Sequence, residues 1–142
     1  QHPDVLMAAQ VGEPDESAGE LPVAFVSLRP GATVTMQELS AFANERVPER
    51  PAWPKRIDVL PAIPMTAIGK VFKPRLRLLA CERVLNERLE RAGLAQAVRV
   101  DIEDAAVGLA ARFSPVPGAG APDRGRIADL MRAFAIDWRY DA

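Results

Sequence analysis

The residues with the clearest chemical potential form a short stretch, PMTAIGKV, at positions 64–71. Gly69 can adopt a positive φ or let the backbone approach a ligand closely, which a residue with a β-carbon resists. Lys70 follows directly and carries a compact ammonium charge on a flexible stem. The stretch therefore predicts a loop that aims one cationic side chain.

A Gly-Lys pair also occurs in the phosphate-binding P-loop, but the rest of that motif is missing here. The P-loop needs a second glycine five residues before the Gly-Lys pair and a serine or threonine after the lysine. Those positions hold Pro64 and Val71, so we exclude a P-loop. Taken alone, the stretch also fits an ordinary surface lysine after a turn, since most lysines are exposed.

Two strands and a helix are predicted upstream of this loop. The apolar runs at residues 5–10 and 23–28 are typical of strands, and the turn-rich residues 12–20 between them predict a loop. Thr35 and Glu38 have capping-box spacing and predict the start of a helix. The apolar positions of that helix are Met36, Leu39, Phe42, Ala43 and Val47.

The pattern predicts a short strand before the loop and a longer helix after it. Pro48 ends the first helix, and four prolines leave room only for a short edge strand within residues 56–60. Trp53 in this segment is interpreted as a packing residue. The next helix is predicted over residues 75–91, with Gly93 as its C-terminal stop. Its apolar face comprises Leu78, Cys81, Leu85 and Leu89, and its predicted solvated residues are Glu82, Arg83, Glu87, Arg88 and Glu90.

The last third of the chain predicts a small additional subdomain. Residues 98–102 alternate between apolar and charged types, and residues 109–113 suggest a partner strand after a turn around Asp104. Residues 114–122 predict a loop, and Asp123 is a candidate helix cap. The order suggests a small antiparallel sheet covered by helices. The helix would use Ile127, Leu130, Met131 and Phe134, and a final strand would use Ile136, Trp138 and Tyr140.

Composition excludes several classes of function. Of 142 residues, 49% are hydrophobic and 26% are charged, and the net charge of −1 with no block of like charges gives no reason to expect binding to nucleic acid or an anionic membrane. No apolar run approaches the roughly 20 residues that span a bilayer. The single cysteine cannot form an internal disulfide, which favours a reducing, cytoplasmic setting. One cysteine and one histidine are too few ligands for a zinc site, so we exclude one. The start at Gln1, without a methionine, leads us to expect a fragment.

Two groups of motifs, in one order, resemble the C-terminal domain of the adenylate-forming superfamily, which includes acyl-CoA synthetases, luciferases and peptide-synthetase adenylation domains. The first group is HPDV at residues 2–5, GEPD at 12–15, AFV at 24–26 and PG at 30–31; the second is the stretch around Lys70. The resemblance covers residues 1–79. Where acyl-CoA synthetases commonly have Tyr-Lys-x-Pro, this chain has PAWP followed by Lys55, so any role of that earlier lysine is not transferred.

The resemblance implies an α+β fold, with a small antiparallel or mixed sheet flanked by helices. Residues 1–79 would be the C-terminal lid domain, without its first hairpin and hinge. The resemblance does not extend to residues 80–142, which the residue pattern predicts as an additional α/β tail of helix, strand, strand, helix and strand. Lys70 would be the catalytic lysine for adenylation of a carboxylate, on a loop shaped by Thr66 and Gly69. A rotation of the domain would then allow thioester formation with CoA.

The same resemblance implies the partners and leaves one alternative open. The full-length enzyme would use ATP, CoA and Mg²⁺, none held by this fragment alone, so the isolated chain is predicted to be inactive. The partners would be the N-terminal adenylation domain and a carboxylic acid, with the bacterial fatty-acyl type favoured. The alternative is a non-catalytic interaction module that keeps the fold and uses the tail for docking or dimerisation.

Overall fold

The computed structural model describes residues 2–46, 53–105, 108–120 and 124–141. The chain divides into two compact units, the first formed by residues 1–13 and 20–77 and the second by residues 14–19 and 78–142. The predicted helix end at Pro48 and the predicted cap at Asp123 lie outside the described residues. The elements are β1 (Val5–Asp15), β2 (Gly19–Leu28), α1 (Met36–Arg46), β3 (Ile57–Val59), α2 (Lys73–Arg91), β4 (Val98–Ala105), β5 (Gly108–Pro115), α3 (Arg124–Met131) and β6 (Asp137–Tyr140).

The first unit is built on a three-stranded sheet in the order β1-β2-β3. Strand β3 is short, lies at the edge as predicted, and pairs in parallel with β2 so that Ala24 lies opposite Ile57. Helix α1 begins as the capping box predicts. The Glu38 N–H donates to Thr35 Oγ1 at 3.1 Å, and the Thr35 N–H donates to Glu38 Oε2 at 2.9 Å. A small core joins the sheet and helix α1, and its buried members are Val5, Val26, Leu39 and Ile57.

The loop predicted for residues 12–20 is wrong, because most of it is strand. Strands β1 and β2 extend toward each other until only three residues separate them, and Asp15 Oδ2 closes the turn by accepting hydrogen bonds from the N–H groups of Ser17 and Ala18. Strand β1 lies at the edge of the sheet. A proline such as Pro14 is tolerated in an edge strand, because the side of the strand that has no neighbour forms no ladder hydrogen bonds. Turn-rich composition thus marked only the tip of the hairpin.

The second unit has its own sheet, in the order β4-β5-β6. Strands β4 and β5 pair antiparallel, from Val98 opposite Pro115 to Ala105 opposite Gly108. Strand β6 pairs in parallel with β5, so the predicted antiparallel sheet is confirmed for β4 and β5 but wrong for β6, and the sheet is mixed. Helix α3 crosses from the end of β5 back to its start, and a strand after such a crossover runs parallel. Both units therefore combine a small mixed sheet with helices, which confirms the predicted α+β class.

The core of the second unit forms between its sheet and helices α2 and α3. Helix α3 ends at Met131, earlier than predicted, yet Phe134 remains only 9% exposed. Strand β5 continues to Pro115, so the predicted loop starts later. The buried members of this core are Cys81, Val84, Leu85, Leu89, Leu94, Val98, Val100, Ala111, Phe113, Ile127, Met131 and Phe134.

Helix α2 ends as predicted, at a glycine. Gly93 has a φ of +71°, and the Leu94 N–H donates to the Leu89 carbonyl at 2.8 Å, which is the hydrogen bond of a Schellman cap. The charged face is less solvated than predicted, since Arg88 is half-buried, with its guanidinium 2.7 Å from Glu16 Oε1 and 5.5 Å from the ring centre of Phe134. The other predicted solvated residues that are half-buried are Glu82, Arg83 and Glu87.

Among the residues that the structure describes, no helix combines the length and the apolar character needed to cross a bilayer.

Candidate functional site: the Lys70 hairpin

Residues 64–72 form a tight hairpin, which we call the Lys70 hairpin. Met65 and Val71 make an antiparallel bridge, and the Thr66 N–H donates to the Lys70 carbonyl at 2.7 Å. The Gly69 N–H in turn donates to the Thr66 carbonyl at 3.1 Å. This pattern is that of a three-residue hairpin loop that ends in a glycine bulge. The backbone on both sides of Lys70 is therefore fixed by hydrogen bonds.

Gly69 is required by backbone conformation and not by space. Its φ is +82°, in the region that residues with a β-carbon rarely adopt, while a β-carbon built at this position would meet no atom within 4 Å. Thr66 holds the other side of the loop, because its Oγ1 accepts a hydrogen bond from the Lys70 N–H at 3.1 Å. The structure thus brings the three predicted site residues, Thr66, Gly69 and Lys70, into one hairpin.

The charge around Lys70 is entirely positive along the chain. Its side chain is exposed, and no carboxylate among the described residues forms an ion pair with it. No acidic residue occurs between Asp58 and Glu82. The cations in that interval are Lys70, Lys73, Arg75 and Arg77. Such a segment favours an anionic ligand at Lys70, since a neighbouring carboxylate would otherwise satisfy the ammonium group.

Three apolar side chains in the same hairpin are exposed, a feature that the sequence analysis missed. Ile68 is 79% exposed at the tip, and Met65 and Phe72 are 42% and 45% exposed on the two arms. The available signal was a β-branched residue inside a turn, where glycine, asparagine, aspartate and serine are the usual choices.

An apolar groove of about 400 Å³ in the first unit is separate from this hairpin. It lies between α1 and the sheet, and no residue of the Lys70 hairpin lines it. His2 stands at this groove, where its Nδ1 accepts a hydrogen bond from the Asp4 N–H at 3.1 Å and its ring packs edge-on against Phe42. The histidine is therefore engaged in local packing.

The single thiol of the chain is unsuited to nucleophilic chemistry. Cys81 is fully buried in the core of the second unit. Burial, with a smaller effect of the neighbouring Glu82 carboxylate, raises the pKa of the Cys81 thiol from 9.0 to about 11. At neutral pH the sulfur is therefore protonated, and only the thiolate is an effective nucleophile.

Comparison with known proteins assigns the first half of the chain to a described family. Residues 1–70 match the family model of the AMP-binding enzyme C-terminal domain. The chain is 41% identical over 103 residues to a marinolic acid–CoA ligase of Pseudoalteromonas sp. (strain SANK 73390), covering 72% of this chain and 16% of that protein. This alignment extends beyond the first 79 residues.

Two further similar proteins are also named as CoA ligases or synthetases. The chain is 46% identical over 79 residues to 4-coumarate–CoA ligase-like 9 of Oryza sativa subsp. japonica, covering 54% of this chain and 14% of that protein. The crystal structure of an acyl-CoA synthetase from Brucella canis superposes with a TM-score of 0.53 at 35% identity, over 58% of this chain and 16% of that one. The chain thus spans 14–16% of the length of these relatives.

Proposed function

This chain belongs, through residues 1–70, to the family of AMP-binding enzyme C-terminal domains, and we propose that it supplies the catalytic lysine of an AMP-forming acid–CoA ligase. The observation that carries the proposal is the Lys70 hairpin. A hydrogen-bonded loop with a glycine bulge presents one exposed lysine that has no carboxylate partner among the described residues.

The proposed chemistry requires a cation where two anions meet. In adenylation, a carboxylate attacks the α-phosphate of ATP, forming an acyl-adenylate and releasing pyrophosphate. Negative charge gathers on the reacting oxygens, and a positioned ammonium group stabilises it without having to reorganise. Lys70 would hold the carboxylate and the phosphate oxygens together, while Thr66 and Gly69 fix the backbone from which its side chain extends.

The rest of the reaction falls to parts of the protein that this chain does not contain. We propose that an N-terminal adenylation domain of the same protein binds ATP and the carboxylic acid, and that a fatty acid is the substrate. Among the described residues, no three His, Cys, Asp or Glu side chains come together in a way that could hold a metal ion. We assign no step through Mg²⁺ to this chain.

The second half-reaction is proposed to follow a rotation of this domain. After adenylation, Lys70 would leave the active site and another face would approach it, so that the CoA thiol attacks the acyl-adenylate and AMP departs. The lysine would then act in the first half-reaction only. We further propose a cytoplasmic location, because the single buried thiol fits a reducing compartment.

The proposal is tested by replacing the lysine in the full-length enzyme. Lys70→Ala is expected to lower ATP–pyrophosphate exchange by about 100-fold or more, since one preorganised charge contact in a transition state is worth about 3 kcal/mol. The matched control is Lys73→Ala, which removes an exposed lysine three residues away, at the start of α2. Its exchange rate should stay within about threefold of the wild type, because its side chain extends from α2, outside the hydrogen-bonded hairpin, and would not touch the reacting oxygens. Wild-type exchange by Lys70→Ala would instead support the non-catalytic interaction module.

A further inference from the structure

The side chain of Ile68 contributes none of the hydrogen bonds described above that hold the Lys70 hairpin together. It occupies the tip of the Lys70 hairpin with 79% of its surface exposed, more than any other large apolar residue described. A β-branched residue is a poor choice for a turn, and an exposed one leaves apolar surface in water. The hairpin itself is held by backbone bonds and by Thr66 Oγ1, not by this side chain.

Two further exposed apolar side chains lie on the arms of the hairpin. They point to opposite faces, because Met65 pairs with Val71 and Phe72 is the next residue after Val71. Met65 and Phe72 on the two arms are 42% and 45% exposed. Exposed apolar residues that occur singly are ordinary. Three of them on one short hairpin are typical of a segment that another protein surface covers.

The position of Ile68, two residues before Lys70, indicates which protein surface covers it. Consecutive Cα atoms are about 3.8 Å apart, so the Cα atoms of these two residues lie within about 7.6 Å of each other. A surface that receives the Lys70 ammonium group therefore lies close to Ile68 as well. The carboxylate and ATP that Lys70 would bridge are proposed to lie in the adenylation domain, and the CoA-ligase relatives contain most of their length outside the region that this chain matches.

We propose that Ile68 seats the Lys70 hairpin against an apolar surface of the N-terminal adenylation domain at the rim of its active site. This inference rests on the proposed function of Lys70 and adds a positioning residue to it. Ile68 touches neither substrate nor the reacting atoms. It holds the hairpin at the depth at which the ammonium group reaches the two anions, and contact distance matters because a misplacement of about 1 Å can cost about 100-fold in rate.

The proposal is tested in the full-length enzyme with two substitutions at Ile68 and one control. Ile68→Ser removes the apolar contact and is expected to lower ATP–pyrophosphate exchange by about tenfold, the effect of losing most of one buried aliphatic side chain. Ile68→Val keeps a β-branched apolar side chain and should stay within about twofold of the wild type. Leu6→Ser is the control, because Leu6 is also about half exposed (49%) in the first unit but lies on β1, outside the hairpin.

Two further readouts separate positioning from a loss of structure. The melting temperature of Ile68→Ser should match that of the wild type, since this side chain is exposed, and thioester formation from supplied acyl-adenylate should be unchanged. The proposal is overturned if Ile68→Ser exchanges pyrophosphate at the wild-type rate while Lys70→Ala does not, an outcome that leaves the role of Lys70 intact. It is equally overturned if both half-reactions fall together, or if Leu6→Ser has the same effect. Wild-type exchange by Lys70→Ala would instead refute the proposed function itself.

Discussion

Replacing Gly69 with alanine should weaken adenylation through backbone strain alone. Gly69 has a φ of +82°, and an alanine in the left-handed region costs about 1–2 kcal/mol. No steric penalty adds to this, because a β-carbon at the position would meet no atom within 4 Å. If the strain is relieved by opening of the hairpin, the productive position of Lys70 becomes about 5- to 30-fold less populated.

The assay is ATP–pyrophosphate exchange by the full-length enzyme, with a matched control in the same unit. Gly31 has a φ of +79° and equally open surroundings, so Gly31→Ala carries the same backbone penalty outside the hairpin. Both alanine variants should show a similar loss in the free energy of unfolding measured with urea, but only Gly69→Ala should lose exchange activity. Gly69→Asn should lose less, because asparagine tolerates a positive φ better than alanine. Full activity of Gly69→Ala, or an equal loss in Gly31→Ala, would refute the argument.

The remaining predictions concern the chain as a whole. The isolated 142-residue chain should fold, show negligible heat of ATP binding by calorimetry and form no acyl-CoA; robust turnover by this chain would overturn the domain assignment. Truncation after Leu79 should leave a soluble protein with a cooperative melt if residues 80–142 are a self-contained appendage, and aggregation would show that the two parts share one core. Cys81 should resist alkylation at pH 8 until urea unfolds the chain, because its thiol is buried and protonated. The raised pKa of Cys81 means that the folded state retains a proton that the unfolded state loses, so stability should fall between about pH 9 and pH 11, and Cys81→Ala should lack this contribution.

Features that depend on neighbours in the sequence were predicted well. The capping box of Thr35 and Glu38 and the glycine stop at Gly93 formed as expected, because their hydrogen bonds join residues only a few positions apart. The sequence also predicted the hairpin around Lys70 as a loop, since a glycine before the lysine marks a backbone that needs a positive φ.

Features that depend on distant residues were missed. The half-burial of Arg88 arises from Glu16, 72 positions away, and helix periodicity alone assigned that arginine to solvent. The parallel pairing of β6 with β5 was also missed, because an alternating pattern does not specify the direction of a strand. The exposure of Ile68 was missed as well, since only the folded chain shows that the described residues leave 79% of this side chain exposed. The assignment of catalysis to Lys70 depends on family resemblance and on the substrates outside this chain.

We propose that Lys70 acts in adenylation and not in thioester formation, and a comparison of the two half-reactions of Lys70→Ala in the full-length enzyme separates these roles. Adenylation is followed by acyl-adenylate formation in a single turnover, and transfer by acyl-CoA formation from supplied acyl-adenylate and CoA. We expect a loss of about 100-fold or more in the first rate and a change of less than about threefold in the second. Equal losses in both rates would contradict it, because they would show that Lys70 supports the fold or the movement of the domain and not the adenylation step.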